Sequence, residues 1–300
     1  MIDKPGKQVV LIIGASGMLG HTLFFNLSKE ESLDVFATVR NRDELAKRFP
    51  SEYLKRIISG IDTDNVDALV KVIAEIKPDV VINCVGIIKQ LDESKDSLKS
   101  ISVNALFPHR MATICAAAGS RFIQIGTDCV FDGSKGNYSE DDRSDAYDLY
   151  GKTKYLGEVD YPNCVTLRTS IIGHELKGKR SLVEWFLAQQ GEVRGYANAI
   201  YSGFPTVEMA RIISRYVIPN QDLSGLYHVS SEPISKLELL RLIVDRYNKE
   251  IDIVPFDDFY IDRSLDSTRF RAATGYVSPA WPELIDKMYQ DFISAPYYDM

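Results

Sequence analysis

Tyr150 and Lys154 stand four residues apart in a stretch of helical spacing, which puts the two side chains on one face, one turn apart. A tyrosine is a poor acid or base at neutral pH, because its ordinary pKa is about 10. An ammonium one turn away favours the tyrosinate and so fits the phenol for proton transfer. Thr127, at the end of an expected strand Arg121 to Gly126, adds a hydroxyl that can hydrogen-bond a carbonyl oxygen. Together the three groups suit hydride addition to a ketone. The Tyr-x-x-x-Lys spacing alone also fits an ordinary surface pair, so its meaning rests on the elements around it.

The first of those elements is Val9 to Ile13, five apolar residues that run into Gly14-Ala15-Ser16-Gly17-Met18-Leu19-Gly20 and then into a helical pattern from Met18 to Leu27. An apolar run without alternation fits a strand buried on both faces of a parallel sheet. Gly14 supplies a tight turn, Gly17 a close backbone approach to a pyrophosphate, and Gly20 close helix–strand packing. Ser16, Met18 and Leu19 complete the expected dinucleotide loop at a helix N-terminus.

A second strand, Asp34 to Val39, ends in Arg40-Asn41-Arg42 rather than in a carboxylate. Guanidinium groups there suit a 2′-phosphate, so NADPH is expected over NADH; a solvated basic turn is the plainer alternative. Asp62, just past a short strand Ile57 to Ile61, and Cys84-Val85-Gly86, at the end of the strand opened by Asp79-Val80, are expected beside the cofactor. Lys154 is expected to hold the nicotinamide ribose. Asn104, in an apolar helix from Ser97 to Ala118, is read as a cofactor-side amide serving a proton relay or as a satisfied packing residue.

Up to Ser170 the strand–helix alternation is nearly continuous, which predicts an α/β fold with a doubly wound parallel sheet. Residues 1–170 form the expected cofactor domain. Residues 171–300 form a smaller substrate-binding α/β region, with the chain free to cross back between the two. Here the sequence predicts helices at Leu182 to Gln190, Val207 to Ile218, Ser235 to Asn248 and Pro282 to Phe292, a polar turn before the aromatic stretch Ala199 to Phe204, and a loop at Arg263 to Thr268. The net charge of −7 argues against a nucleic-acid partner. Cys84, Cys115, Cys129 and Cys164 lack metal-ligand spacing, so no metal is expected, and no apolar run is long enough for a membrane. A cytoplasmic protein with reduced thiols is the expectation. His21 and His174 are lone histidines that fit packing roles.

The residues Gly14-Ala15-Ser16-Gly17-Met18-Leu19-Gly20, Thr127 and Tyr150-x-x-x-Lys154 resemble the extended short-chain dehydrogenase/reductase family. Within it, Gly126-Thr127-Asp128-Cys129-Val130-Phe131-Asp132-Gly133 and Leu265-Asp266-Ser267-Thr268-Arg269-Phe270 are similar to the dTDP-4-dehydrorhamnose reductase branch. The resemblance implies a Rossmann-type domain and NADPH. It further implies reduction of a nucleotide-diphosphate 4-keto-6-deoxyhexose for surface-polysaccharide deoxysugars, with Thr127, Tyr150 and Lys154 catalytic and a homodimer open. Cys129 stands where the branch has an aromatic, and Arg263-Ser264 replaces its Arg-Pro. Cys129, Ser170, Trp185, Tyr201 and Arg263 are the candidate substrate contacts, Arg263 as a diphosphate clamp. Two alternatives stay open: an epimerase-reductase of the GDP-fucose synthase type, with Cys129 exchanging protons and His174 as a partner, and a non-catalytic NADP-binding subunit like the regulator of methionine adenosyltransferase.

Overall fold

Apolar runs too short for helices become the strands of one parallel sheet. In the computed structural model, which describes residues 6–89 and 95–298, these are β1 (Gln8–Ile13), β2 (Leu33–Thr38), β3 (Ile57–Ile58), β4 (Val80–Asn83), β5 (Arg121–Ile125), β6 (Cys164–Arg168) and β7 (Gly225–His228). Their spatial order is β7-β6-β5-β4-β1-β2-β3, every neighbouring pair parallel. The order reverses between β1 and β4, so the loops leaving their carboxyl ends diverge and open a crevice there.

The sheet is buried on both faces. Val10 and Ile12 point into one core with the helices Met18–Leu27 and Thr206–Ile212, while Leu11 and Ile13 point into the other with Val66–Ile76 and Phe107–Ala118. Gly20 makes the first of these packings feasible, because a Cβ there would lie 2.2 Å from the carbonyl oxygen of Gly14. Gly14 itself turns the chain at φ +91°, a conformation that side-chain-bearing residues avoid.

The structure departs from the sequence expectations in three places. The helix from Ser97 to Ala118 is interrupted by a π-helical segment, Ile101–Leu106, set against Gly157, whose missing Cβ would lie 1.9 Å from the Asn104 carbonyl oxygen. The predicted polar turn contains a strand, Glu192–Tyr196, paired in parallel with Asp252–Phe256. The loop expected at Arg263 to Thr268 is present as far as Ser267, and an unpredicted helix, Thr268–Thr274, follows it, its first residue donating to the Asp266 carboxylate through both its amide and its hydroxyl.

The boundary near residue 170 does not separate two cores. β7 returns to the main sheet beside β6, and one hydrophobic cluster runs from Val10 to Tyr297. Among the described residues no helix is long and apolar enough to cross a membrane.

Candidate active site

The crevice between β1 and β4 is floored by the glycine loop. The amides of Gly14 and Ala15 donate to the Thr38 carbonyl at 3.2 and 3.0 Å, and the Gly17 amide donates to the Gly14 carbonyl at 3.2 Å. Gly17 caps the Met18–Leu27 helix with extended backbone angles, and no side chain bonds to its first-turn amides. Those amides, with the positive end of the helix dipole, fit a diphosphate. Ser16 and Gly17 are exposed and Met18 is half-buried, so all three face the opening. The Leu19 side chain lies in the core, which leaves only its backbone to serve a ligand.

Of the expected cofactor residues beyond the loop, Arg40 stands exposed just past β2. Arg42 is exposed as well, and its guanidinium donates to the Leu54 carbonyl at 2.7 Å, which draws it onto the neighbouring turn. Asp62 accepts from the Thr63 hydroxyl and the Asp64 amide, so its carboxylate closes its own loop. Val85 packs on the glycine loop, since a Cβ on Gly14 would meet its Cγ2 at 2.6 Å. Burial pushes the Cys84 thiol up to about 12, against the pull of the Lys154 charge, so Cys84 packs there as a neutral group. Asn104 does not present its amide to the crevice. It accepts from the Ile87 amide at 2.9 Å and donates to the Ile87 carbonyl at 3.0 Å, fixing the loop that carries Gly86. A Cβ on Gly86 would lie 3.4 Å from that amide oxygen and 3.8 Å from Lys154 Nζ, so its absence leaves the lysine room.

Thr127, Tyr150 and Lys154 converge where β5 ends. Asp148 caps the Leu149–Leu156 helix through the Gly151 amide at 2.8 Å and also holds Lys89. Gly151 lets that helix press onto the Asp128–Val130 turn, for a Cβ there would lie 2.3 Å from the Cys129 carbonyl oxygen. Thr127 is buried. Its hydroxyl donates to Asp128 at 3.2 Å, accepts from the Cys129 amide at 3.2 Å and is hydrogen-bonded with Tyr150.

Lys154 Nζ donates to the Ile125 carbonyl at 2.9 Å. Burial lowers its pKa to about 8, although Glu158 and Cys84 work the other way. The expected tyrosinate is not what this environment favours: burial first, then Cys129, Asp128 and Asp148, raise the Tyr150 pKa against the Thr127 hydrogen bond. The phenol is therefore held as the neutral acid, which is the form that hands a proton to a reduced ketone.

The expected substrate contacts divide. Ser170 bonds to Asp128, and Tyr201 is buried with its ring within electrostatic reach of the same carboxyl. Asp128 is thus a hub that the sequence reading passed over, although its place directly after Thr127 was visible. Burial raises its pKa, opposed by Arg263 and by bonds from Cys129, Thr127 and Ser170. Arg263 is not a free diphosphate clamp: its Nε donates to the Phe131 carbonyl at 2.7 Å and Nη2 to the Asp132 carbonyl at 3.3 Å. Its Nη1 lies 3.9 Å from the Cys129 sulfur. Burial and Asp128 push the Cys129 thiol up to about 12, so it is a poor source of thiolate. Trp185 stands exposed on the Leu182–Leu187 helix. His174 is held by Glu184 at 2.6 Å and the Tyr247 hydroxyl at 2.8 Å, and it stacks on Phe292, which makes it a packing residue and not a partner for Cys129.

Comparisons with known proteins agree with this architecture. Methionine adenosyltransferase 2 subunit beta of Danio rerio is 29% identical over 253 residues, covering 80% of this chain and 74% of its own. dTDP-4-dehydrorhamnose reductase of Aggregatibacter actinomycetemcomitans is 26% identical over 234 residues, covering 75% of this chain and 74% of its own. The crystal structure of a Bacillus anthracis dTDP-4-dehydrorhamnose reductase in complex with NADP matches the fold with a TM-score of 0.78 at 22% identity, covering 95% of this chain and 99% of that one. The description "RmlD substrate binding domain" fits residues 8–293, nearly the whole length, and the chain therefore belongs to that family.

Proposed function

We propose that this chain uses NADPH to reduce the 4-keto group of a nucleotide-diphosphate-linked 4-keto-6-deoxyhexose. The observation that carries the reading is the hydrogen-bonded pair of buried Thr127 and half-buried Tyr150, its phenol neutral, set beside buried Lys154 at the mouth of an uncapped glycine loop. When bound, NADPH supplies the hydride. The first-turn amides of the Met18–Leu27 helix would hold its diphosphate, exposed Arg40 its 2′-phosphate, and Lys154 its ribose hydroxyls. Thr127 orients the carbonyl oxygen by hydrogen bonding. Tyr150 gives that oxygen its phenolic proton as the carbon becomes an alcohol. The sugar-nucleotide class rests on the family and on the reductases similar to this chain.

Replacing Tyr150 by Phe tests the assignment. It removes the proton donor and keeps the ring, so kcat is expected to fall by at least ~10² while the Kd for NADPH stays nearly unchanged. A Tyr150→Phe enzyme with wild-type turnover contradicts the mechanism.

A regulatory subunit is a second reading, favoured by the 29% identity to the adenosyltransferase subunit. Against it stands a site with all three reactive groups in place. Tight binding to a methionine adenosyltransferase catalytic subunit, with no turnover of any keto sugar, selects the regulator. Reduction alone is preferred over epimerisation with reduction, because Cys129 is held as the thiol and His174 lies in a separate aromatic cluster.

A further inference from the structure

His21 is fully buried directly beneath the glycine loop, and its ring is bonded on both sides. Nδ1 lies 2.9 Å from the Gly17 carbonyl oxygen, which also accepts the His21 amide at 3.0 Å. Nε2 lies 2.8 Å from the Tyr298 hydroxyl. A carbonyl only accepts, so Nδ1 carries the proton and Nε2 accepts from the tyrosine. The rings of Tyr297 and Tyr298 stand edge-on to the imidazole at 5.3 and 5.6 Å, and Tyr297 in turn stacks on Phe49 at 4.9 Å. The segment around Tyr297 and Tyr298 thus straps the imidazole against the loop from 277 residues away in sequence.

The consequence follows from the geometry of one peptide unit. The Gly17 carbonyl and the Met18 N–H belong to the same planar trans amide, so fixing the direction of one fixes the other, pointing the opposite way. Gly17 carries no side chain to restrict its backbone, which makes an outside grip on its carbonyl effective. We infer that His21, backed by Tyr298, is a positioning residue that locks the Gly17–Met18 peptide and aims the Met18 N–H at the diphosphate of the bound dinucleotide. This rests on the dinucleotide reading above and goes beyond it by assigning the C-terminal segment a part in cofactor affinity. Burial, the largest influence, lowers the His21 pKa to about 3, so the ring stays neutral and keeps one donor and one acceptor at ordinary pH.

The test is equilibrium binding of NADPH and of 2′-AMP, which carries the 2′-phosphate but no diphosphate, to the wild type and to three variants. His21→Leu removes both ring bonds, and Tyr298→Phe removes the backing hydroxyl while keeping the ring. His21→Asn retains a side-chain donor to the carbonyl four residues back, as Asn26 does to Thr22 in the same helix at 2.9 Å. In variants with wild-type circular dichroism, His21→Leu is expected to raise the NADPH Kd roughly five- to tenfold, the effect of one lost hydrogen bond. Tyr298→Phe should raise it less, His21→Asn should restore most of the affinity, and 2′-AMP binding should not change. A folded His21→Leu protein that binds NADPH as the wild type does overturns the inference. Equal weakening of 2′-AMP, or no rescue by Asn, does the same, because the effect is then not exerted through the Gly17 carbonyl. A wild type that binds no NADPH overturns the dinucleotide reading and this inference together.

Discussion

Lys154 carries its charge where burial disfavours it, and that cost is the clearest sign of function at the residue scale. A lysine lowered from 10.5 to about 8 holds fewer protons folded than unfolded between those values. Stability therefore rises with pH across that window, and the penalty is complete below about 8. The shift corresponds to about 3 kcal/mol, and a lost hydrogen bond to the Ile125 carbonyl offsets about 1 of it. Lys154→Met is accordingly expected to stabilise the unliganded protein by about 2 kcal/mol at pH 7 while abolishing turnover. Urea unfolding at pH 7 and 9.5 checks it, with the gap between variant and wild type narrowing at the higher pH. The spacing of Tyr150 and Lys154 pointed to a cluster that the fold does bring together with Thr127, but it did not give the charge states. Tyr150 and Lys154 four apart suggested a tyrosinate, whereas desolvation of the phenol, which spacing does not encode, holds it further on the protonated side. Arg263 and Asn104 were visible as polar residues near the site, yet their partners, the carbonyls of Phe131 and Asp132 and the backbone of Ile87, emerge only when distant loops meet.

Elements position these groups through close backbone approaches. Gly151 brings the Leu149–Leu156 helix onto the turn that carries Thr127, and nothing flexible stands between its Cβ direction and the Cys129 carbonyl. Gly151→Ala should therefore push Tyr150 away from Thr127, costing roughly 1–3 kcal/mol of stability as overpacking does. It should lower kcat at least tenfold, about 1.4 kcal/mol of barrier. Thermal unfolding and steady-state kinetics check both; a variant with unchanged kcat would mean that this contact does not set the pair. The main strands were legible because β1 and β4 are mostly apolar runs buried on both faces, and β5, though it carries Arg121 and Gln124, has the same short strand length between helices. Glu192–Tyr196 was not, because Val193 and Gly195 alone face inward, and Gly195 sits where a Cβ would meet Leu237 at 2.4 Å. The π-helical segment at Ile101–Leu106 depends on Gly157, about fifty residues on, so no local pattern announces it.

Across the whole molecule, the second region stabilises the site through long-range ties. Glu158 binds Arg168 in two-pronged fashion at 2.6 and 2.7 Å, and Arg168 donates to His228 Nε2 at 3.1 Å. His228 Nδ1 donates to the Tyr138 carbonyl at 2.9 Å, and burial, with Arg168 beside it, lowers its pKa to about 4. Tyr138 exchanges backbone bonds with Ser264 and Asp266, so the Leu265-Asp266 motif docks the polar loop that leads to Tyr150. The resemblance marked that motif; only the structure assigns it this work. Everything proposed for this site turns on hydride delivery to a sugar carbonyl. The most direct measurement incubates the enzyme in D₂O with NADPH and a panel of nucleotide-linked 4-keto-6-deoxyhexoses, repeats it in H₂O with NADPH deuterated at the transferable position, and reads the products by NMR. Deuterium at C4 from labelled NADPH, with none entering C3 or C5 from solvent, is the predicted result. NADPH bound but no panel member reduced would contradict the account, and solvent deuterium at C3 or C5 would contradict reduction without epimerisation.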